Sequence, residues 1–390
     1  MSAFRLLAKT SFGFEELLIE ELNSLGVTKA EKGVRAVMFE GDHALMYKVN
    51  LWSRLALRIL KPIASFPAAG EQQLYDEVKK IDWSEYMSEN DTLAVDGVVS
   101  NSVLNHSLYV ALKTKDAIVD QFREKTGKRP SVDINHPSLR INVHISRDQA
   151  TVSLDSSGYS LHKRGYRNQT GEAPLNETLA AGMVMLSGWD KQSPLVDLMC
   201  GSGTILIEAA LLARNIAPGI FRNEFGFERW RDFNSELWEQ IREDAKAGEL
   251  DKLNFSLYGT EKSGQVLKIA KENATNARVG DNLRLNAMSF DEFTPPDEKG
   301  TVIINPPYGG RITEDDLFTL YSTIGDQLKK KFKGYSAWLL TANKEAAKHI
   351  GLKPSRKIEL YNGSLECRFL KFELYEGSKK GKYMEKKNDA

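Results

Sequence analysis

The sequence predicts two fold classes in tandem: an α+β region over roughly the first 160 residues, then an α/β domain with a doubly wound parallel sheet. Three observations predict this. The N-terminal part alternates short strand-like runs with amphipathic helical runs and carries a clean hairpin, LRINVHISRDQATVSLDSSG, at 139–158. Beyond residue 160, three short and nearly continuous apolar runs, PLVDLMCGSGT, FSLYGTE and GTVIINPPYGG, each end in turn residues. Helical segments separate them, and fully apolar strands alternating with helices are the pattern of a parallel sheet buried on both faces.

Taken in order, FRLLAK reads as a strand, FEELLIEELNSLG as an amphipathic helix closed by Gly26, and VRAVMFEG as the next strand. ALMYKVNLWSRLALRIL, residues 44–60, places apolar residues at helical spacing and is expected to form one long helix. Residues 74–99 supply a further helix and strand, TLAVDGVVS having strand composition. SLYVALKTKDAIVDQFREKTGKRP is a basic amphipathic helix that must end before Pro130. The hairpin turns at Arg147-Asp148 and closes at Gly158. GSKKGKYMEKKNDA reads as a solvated tail. The expected division is 1–65, 66–160, 161–378 and a tail at 379–390.

Composition limits the function classes. Of 390 residues 41% are hydrophobic and 27% charged, and no run approaches the ~18 apolar residues of a membrane span. The N-terminus lacks a basic start followed by an apolar stretch, so no signal peptide is expected. Cys200 and Cys367, the only two cysteines, exclude a disulfide framework and fit a reducing cytoplasm. The six histidines show no ligand spacing, so no metal is expected. A net charge of zero argues against a purely electrostatic nucleic-acid binder. Charge is nevertheless uneven: Lys113 to Arg167 holds eleven Lys/Arg against six Asp/Glu. Lys113, Lys115, Arg123, Lys125, Lys128 and Arg129 share one helical stretch and are candidate phosphate contacts, with Lys163, Arg164 and Arg167 closing the run. The bland alternative is a solvated lysine-rich face.

Three motifs carry chemistry. Asp197-Leu198-Met199-Cys200-Gly201-Ser202-Gly203-Thr204 follows an apolar strand and precedes the helical run ILIEAALLA. Glycines let the backbone approach a ligand closely. The pattern lacks the full GxGxxG pyrophosphate fingerprint, and S-adenosylmethionine has no phosphate to hold. Its amino-acid end carries an amine that the Asp197 carboxylate suits, with Met199, Cys200, Gly201, Gly203 and Thr204 as the other loop candidates. Cys200 is read as a small loop residue and not as a nucleophile, since it sits where the cofactor belongs. Glu261, at the end of the second strand, can accept both ribose hydroxyls. Residues 212–252, rich in Arg and Trp, read as an insertion near the mouth of the site.

Asn305-Pro306-Pro307-Tyr308-Gly309 follows the strand TVII directly. Ligands of open α/β sheets lie beyond the carboxyl ends of strands, which places this turn at the acceptor. The Asn305 side-chain oxygen and the Pro306 carbonyl can accept both hydrogens of an exocyclic amine. That frees the nitrogen lone pair and aims it at a sulfonium methyl. Pro307 stiffens the turn, and Tyr308 offers a ring on which a flipped-out base stacks.

The order DLMCGSGT, YGTE, NPPYGGR resembles the amino-methylating class of methyltransferases. HKRGYRNQTGEAPLNETLAAGMV (162–184), LWSRLALRI, VKKIDWSEYM and LKTKDAIVDQFREKTGKRP narrow the resemblance to THUMP-bearing RNA guanine-(N2)-methyltransferases of RlmL type, over roughly residues 1–375. The resemblance implies a ferredoxin-like leader, an RNA-gripping THUMP domain and a Rossmann-like S-adenosylmethionine methyltransferase domain. It implies 23S rRNA as partner and the guanine 2-amino group as acceptor, with no membrane and no metal. Two departures stand out. Larger members carry a second methyltransferase half, so a coupled second modification is not expected here. Where relatives place an acidic residue against the cofactor adenine, LRLNAMSFDEF offers Ser289, with Asp291 two positions on. An adenine-N6 DNA methyltransferase and a non-catalytic RNA chaperone are the competing readings. The N-terminal half argues against the first, and the intact motifs argue against the second.

Overall fold

The computed structural model describes residues 3–167, 175–309 and 313–375, and the expected tail at 379–390 lies outside them. The chain forms two compact units. Met1–Gly165 and Ala217–Ala247 make the first, and Tyr166–Ile216 and Gly248–Ala390 the second.

The first unit begins with β1 (Phe4–Thr10), α1 (Glu15–Ser24), β2 (Ala30–Lys32), β3 (Ala36–Gly41), α2 (His43–Trp52) and β4 (Ala56–Pro67). It continues with α3 (Glu71–Lys80), β5 (Thr92–Ser100), α4 (Ser107–Thr126), β6 (Ser131–Val132), β7 (Leu139–Ser146) and β8 (Gln149–Asp155). All eight strands join one sheet in the order β2-β3-β1-β4-β8-β7-β5-β6. The expected segments 1–65 and 66–160 therefore share a sheet, because β4 pairs with β1 on one side and β8 on the other. The hairpin has the predicted turn. Arg147 (φ 50°) and Asp148 (φ 57°) are both left-handed, as a two-residue type I′ loop requires.

The long helix expected at 44–60 is instead a helix, a break at Ser53 and a strand. The cause lies on α1. The buried Glu21 carboxylate accepts hydrogen bonds from Ser53 Oγ (2.6 Å) and from the backbone amides of Arg54 (2.8 Å) and Leu55 (3.4 Å). Those amides are withdrawn from a helical ladder, and LALRIL completes the sheet. Burial pushes the Glu21 carboxyl up, and its donors oppose that shift. Glu21→Ala, which strands these donors, is expected to cost about 2–4 kcal/mol of stability. A urea midpoint equal to the parent's would show that the break is held some other way.

The second unit begins with α5 (Glu177–Leu186), β9 (Leu195–Asp197) and α6 (Thr204–Ala213). The chain then enters the insertion, which carries α7 (Ser235–Ala247), and returns as β10 (Leu257–Glu261), α8 (Gly264–Asn276) and β11 (Leu283–Ala287). It ends with β12 (Thr301–Ile304), α9 (Glu314–Lys331), β13 (Ser336–Thr341), α10 (Lys344–Lys348), β14 (Arg356–Asn362) and β15 (Leu365–Glu373). The sheet order is β11-β10-β9-β12-β13-β15-β14, parallel from β11 through β13, with β15 antiparallel to β13. Strand order reverses between β9 and β12, and that crevice is where such sheets bind ligands. The run TILIEAALLA is buried on nearly every side, as a helix packed deep against a sheet must be.

The sequence places the insertion at the mouth of the cofactor site. Residues 217–247 belong instead to the N-terminal unit. Their aromatic side chains are the reason. Phe227 stacks on Tyr47 of α2 at 4.3 Å between ring centres, and Trp238 lies edge-on to Phe227 at 5.1 Å. Arg222 is buried as well, donating to the carbonyls of Ser157, Tyr159, Ser160 and Lys163. No helix among the described residues is long and apolar enough to cross a membrane.

Candidate cofactor and acceptor site

In the second unit, all three motifs lie at carboxyl ends of strands beside the switch point. Asp197 closes β9, and the loop after it is tied to β10. The Cys200 amide donates to Thr260 O (2.9 Å), and Thr260 Oγ1 donates to Leu198 O (2.6 Å). Gly201 (φ 52°) and Gly203 (φ 83°) are both left-handed, which favours glycine at each. They face different surroundings. A side-chain carbon added at Gly203 lies 3.3 Å from Ala270 Cβ on α8, whereas one at Gly201 meets nothing within 4 Å. Space for a ligand therefore opens at Gly201. Thr204 starts α6 and is buried, and Met199 is partly buried against the core.

Asp197 is 1% exposed and accepts a hydrogen bond from the Met199 amide (3.1 Å). Burial pushes its carboxyl up to about 7, and the nearby Glu261 carboxylate adds to the shift. A carboxylate so poor in solvent is stabilised by a cation placed against it. The Cys200 thiol is buried against β10, 3.0 Å from where a Gly259 side chain would start, and burial pushes it well above the usual thiol range. A thiol that stays protonated in that position is not a nucleophile. Glu261 accepts a hydrogen bond from the Ser263 amide (2.8 Å), which sets its carboxylate at the start of α8. Past β11, the Ser289 hydroxyl bonds to the Asp291 carboxylate and holds it below its ordinary range. The two candidates for the adenine are thus linked to each other.

Asn305 follows β12, and its side-chain oxygen accepts a hydrogen bond from the Tyr308 hydroxyl. Burial pushes the Tyr308 phenol up, so it stays a donor. Two residues that sequence reasoning missed stiffen this turn. Tyr321 of α9, fully buried, donates to Pro307 O (3.2 Å) and lies 2.7 Å from Thr341 Oγ1 at the end of β13. Leu317, Tyr321, Ile324 and Leu328 form the buried stripe of α9, so Tyr321 reads from sequence as ordinary core. Pro306 is buried, and none of the described residues donates a backbone hydrogen bond to its carbonyl. Beside the turn lies a cavity of ≈ 680 Å³, lined by Tyr308 and Gly309, by Ala342–Glu345 after β13, and by Leu365 and Glu366 of β15. Among the described residues, no group of three or more His, Cys, Asp or Glu is placed to hold a metal.

Two expected RNA contacts are corrected by the structure. Arg164 is 2% exposed, and its guanidinium donates to the carbonyls of Ser53 (3.3 Å), Leu161 (2.8 Å) and Arg54, so it clamps backbone inside the first unit. Arg167, with a side chain 9% exposed, pairs with Glu177 (3.4 Å) and donates to Thr204 Oγ1 and Leu175 O. It braces the start of α6, out of reach of a phosphate backbone. Lys163 is exposed. On α4, Lys115 pairs with Asp116, Arg123 with Asp120 and Lys125 with Asp82, while Lys113 lies over the Tyr75 ring. Lys128 and Arg129, past the left-handed Gly127 that ends the helix, are exposed.

The family described as "RMKL-like, methyltransferase domain" matches residues 164–371. The chain belongs to this family. In this RMKL-like chain the THUMP domain family matches residues 68–155 and the RlmL ferredoxin-like domain residues 5–60. It is 44% identical over 369 residues to "Putative RNA methyltransferase slr0064" of Synechocystis, covering 94% of this chain and 96% of that one. It is 42% identical over 377 residues to the ribosomal RNA large subunit methyltransferase K/L of Syntrophotalea carbinolica, covering 93% of this chain and 53% of that one. The chain thus spans about half the length of the K/L relatives. Among solved structures, SMU.472, "a putative methyltransferase complexed with SAH", covers 97% of this chain and 100% of its own at 32% identity, with a TM-score of 0.87. A "predicted N6-adenine-specific DNA methylase" of Listeria monocytogenes matches at 31% identity, covering 96% of this chain and 97% of its own, with a TM-score of 0.86. The RMKL-like chain is accordingly a methyltransferase with S-adenosylmethionine as its cofactor.

Proposed function

We propose that this RMKL-like enzyme transfers a methyl group from S-adenosylmethionine to the exocyclic 2-amino group of a guanine in 23S rRNA. The observation that carries the transfer is the Asn305 amide, set at the switch point and held by Tyr308, which also lines the neighbouring cavity. The large-subunit rRNA methyltransferases among its relatives support large-subunit rRNA as the substrate.

The residues present fit the cofactor. Gly201 leaves open space, Asp197 presents a buried carboxylate suited to an amine, and Glu261 ends the second strand where a ribose belongs. S-adenosylmethionine supplies an activated methyl group on a cationic sulfur. Asn305 Oδ1 keeps one lone pair on the Tyr308 hydroxyl and offers the other to one amine hydrogen. The Pro306 carbonyl accepts the second hydrogen. The amine nitrogen is thereby drawn out of conjugation with its ring and oriented for attack. No strong base is needed, because the nitrogen becomes acidic only once it is alkylated, and its proton leaves along the same acceptors to solvent. The Tyr321 hydrogen bond to Pro307 keeps this geometry fixed before the base arrives.

Transfer of labelled methyl from S-adenosylmethionine to protein-free large-subunit rRNA tests the reading. Counts in the RNA and none in duplex DNA are expected, and label in DNA adenine alone would favour an N6-adenine DNA methylase.

RNA affinity is assigned to the THUMP-containing unit, with α4 and the residues after it as the contact face. Exposed ion pairs are worth about 0–1 kcal/mol, so Arg123 and Lys125 exchange their carboxylates for phosphates at little cost. Reversing Lys125, Lys128 and Arg129 to Glu is expected to weaken RNA binding. It should also flatten the salt dependence by roughly 0.7–0.9 units for each phosphate no longer neutralised. Unchanged affinity and slope would place the grip elsewhere.

A further inference from the structure

The cavity beside Tyr308 holds a donor and an acceptor side by side. Lys344 Nζ, at the start of α10, lies 3.2 Å from Glu366 Oε1 on β15. Two neighbouring polar groups of the lining are engaged elsewhere. Asn343 Oδ1 accepts from the Ala346 amide (2.8 Å) as the cap of α10, and Glu345 pairs with Lys348 (2.7 Å). Arg368 holds the Glu366 carboxylate from a second direction at 2.8 Å. Leu365 is 52% exposed on the same wall, an apolar surface that a base lying against it would cover.

We propose that the Lys344–Glu366 pair reads the edge of the acceptor base and makes the site specific for guanine over adenine. The proposal rests on the reading of this site as an amino-methylating one. Next to its 2-amino group guanine presents N1–H, a donor, and then O6, an acceptor. The carboxylate of Glu366 accepts from N1–H, and the ammonium of Lys344 donates to O6. Adenine presents the opposite polarity: beside its 6-amino group lies N1, a lone pair that a carboxylate repels. A flipped base is read through this edge, and hydrogen bonds to charged groups are the stronger kind. Opening the pair costs little, since both side chains are substantially exposed, at 61% and 43%.

The test uses two synthetic RNA stem–loops spanning the nucleotide that the wild-type enzyme labels, one with guanine there and one with 2-aminopurine. 2-Aminopurine keeps the 2-amino group, but its N1 is a lone pair and it has no O6. Wild type is expected to prefer guanine by ~10- to 100-fold in kcat/KM, the scale of a bidentate base contact. In Glu366→Gln, whose amide serves N1 in either state, the preference is expected to lose the part due to N1–H. Lys344→Met should lose the part due to O6. Each preference is a ratio within one variant, so partial misfolding cancels. A Glu366→Gln enzyme that keeps the wild-type ratio overturns the proposal while leaving guanine-N2 transfer standing. Absence of N2-methylguanosine from the wild-type reaction overturns both.

Discussion

Asn305→Ala is expected to slow methyl transfer on the order of 100-fold or more while binding S-adenosylmethionine as tightly as the parent. The two effects separate because of where the side chain sits. Asn305 follows β12, whereas the loop proposed to hold the cofactor's amino-acid end follows β9, so removing the amide leaves Asp197, Gly201 and Gly203 untouched. The substitution removes an acceptor that matters most as the amine loses conjugation and gains positive charge, a contribution realised in the transition state. Tyr308→Phe removes the hydrogen bond that fixes the amide but leaves the acceptor in place, and a smaller loss is expected. Single-turnover rates at saturating cofactor, with calorimetry for binding, check both. A near-normal rate from Asn305→Ala would reduce the Asn-Pro-Pro-Tyr turn to a structural feature.

Cofactor affinity is expected to fall about tenfold for each pH unit below about 7, and Asp197→Asn should abolish both the tight binding and its pH dependence. Burial holds the Asp197 carboxyl near 7 in the free protein. An ammonium group placed against it favours the ionised form, so binding expels the proton that occupies this site at lower pH. The same shift acts on folding in the opposite sense. The folded protein binds this proton more tightly than the unfolded chain, whose Asp titrates near ~3.9. Stability is therefore lost as pH rises from about 4 through about 7, and the ionised carboxylate costs up to about 4 kcal/mol above that window. Asp197→Asn is expected to melt higher than the parent at pH 8 while failing to bind. Calorimetry across pH 5.5 to 8.5 with a matched thermal melt tests the pair of effects. Flat affinity in the parent would remove Asp197 from the proposed amine site.

The motifs around the switch point are legible in the sequence because each is local. Asp197–Thr204, Glu261 and Asn305–Tyr308 are each a strand end and the turn after it, so short-range sequence states both the chemistry and its place in a parallel sheet. Features that depend on partners distant in sequence are not legible. LALRIL has helical spacing, and the break at Ser53 is held by groups distant in sequence, the Glu21 carboxylate more than thirty residues earlier and the Arg164 guanidinium far downstream. Residues 217–247 look like decoration on the methyltransferase domain until Phe227 and Trp238 are seen packed around Tyr47. Arg164 and Arg167 extend a basic run, but a positive residue gives no sign in sequence of whether carbonyls or phosphates will receive it. Tyr321 is hidden by belonging to a core stripe while also serving the Pro307 carbonyl.

The most direct test of the central claim is mass spectrometry of nucleosides from large-subunit rRNA, protein-free and lacking this methyl mark, before and after incubation with the enzyme and S-adenosylmethionine. Guanine-N2 transfer predicts N2-methylguanosine that rises with time, and far more slowly with Asn305→Ala. N6-methyladenosine in its place, or no new methylated nucleoside at all, would contradict it.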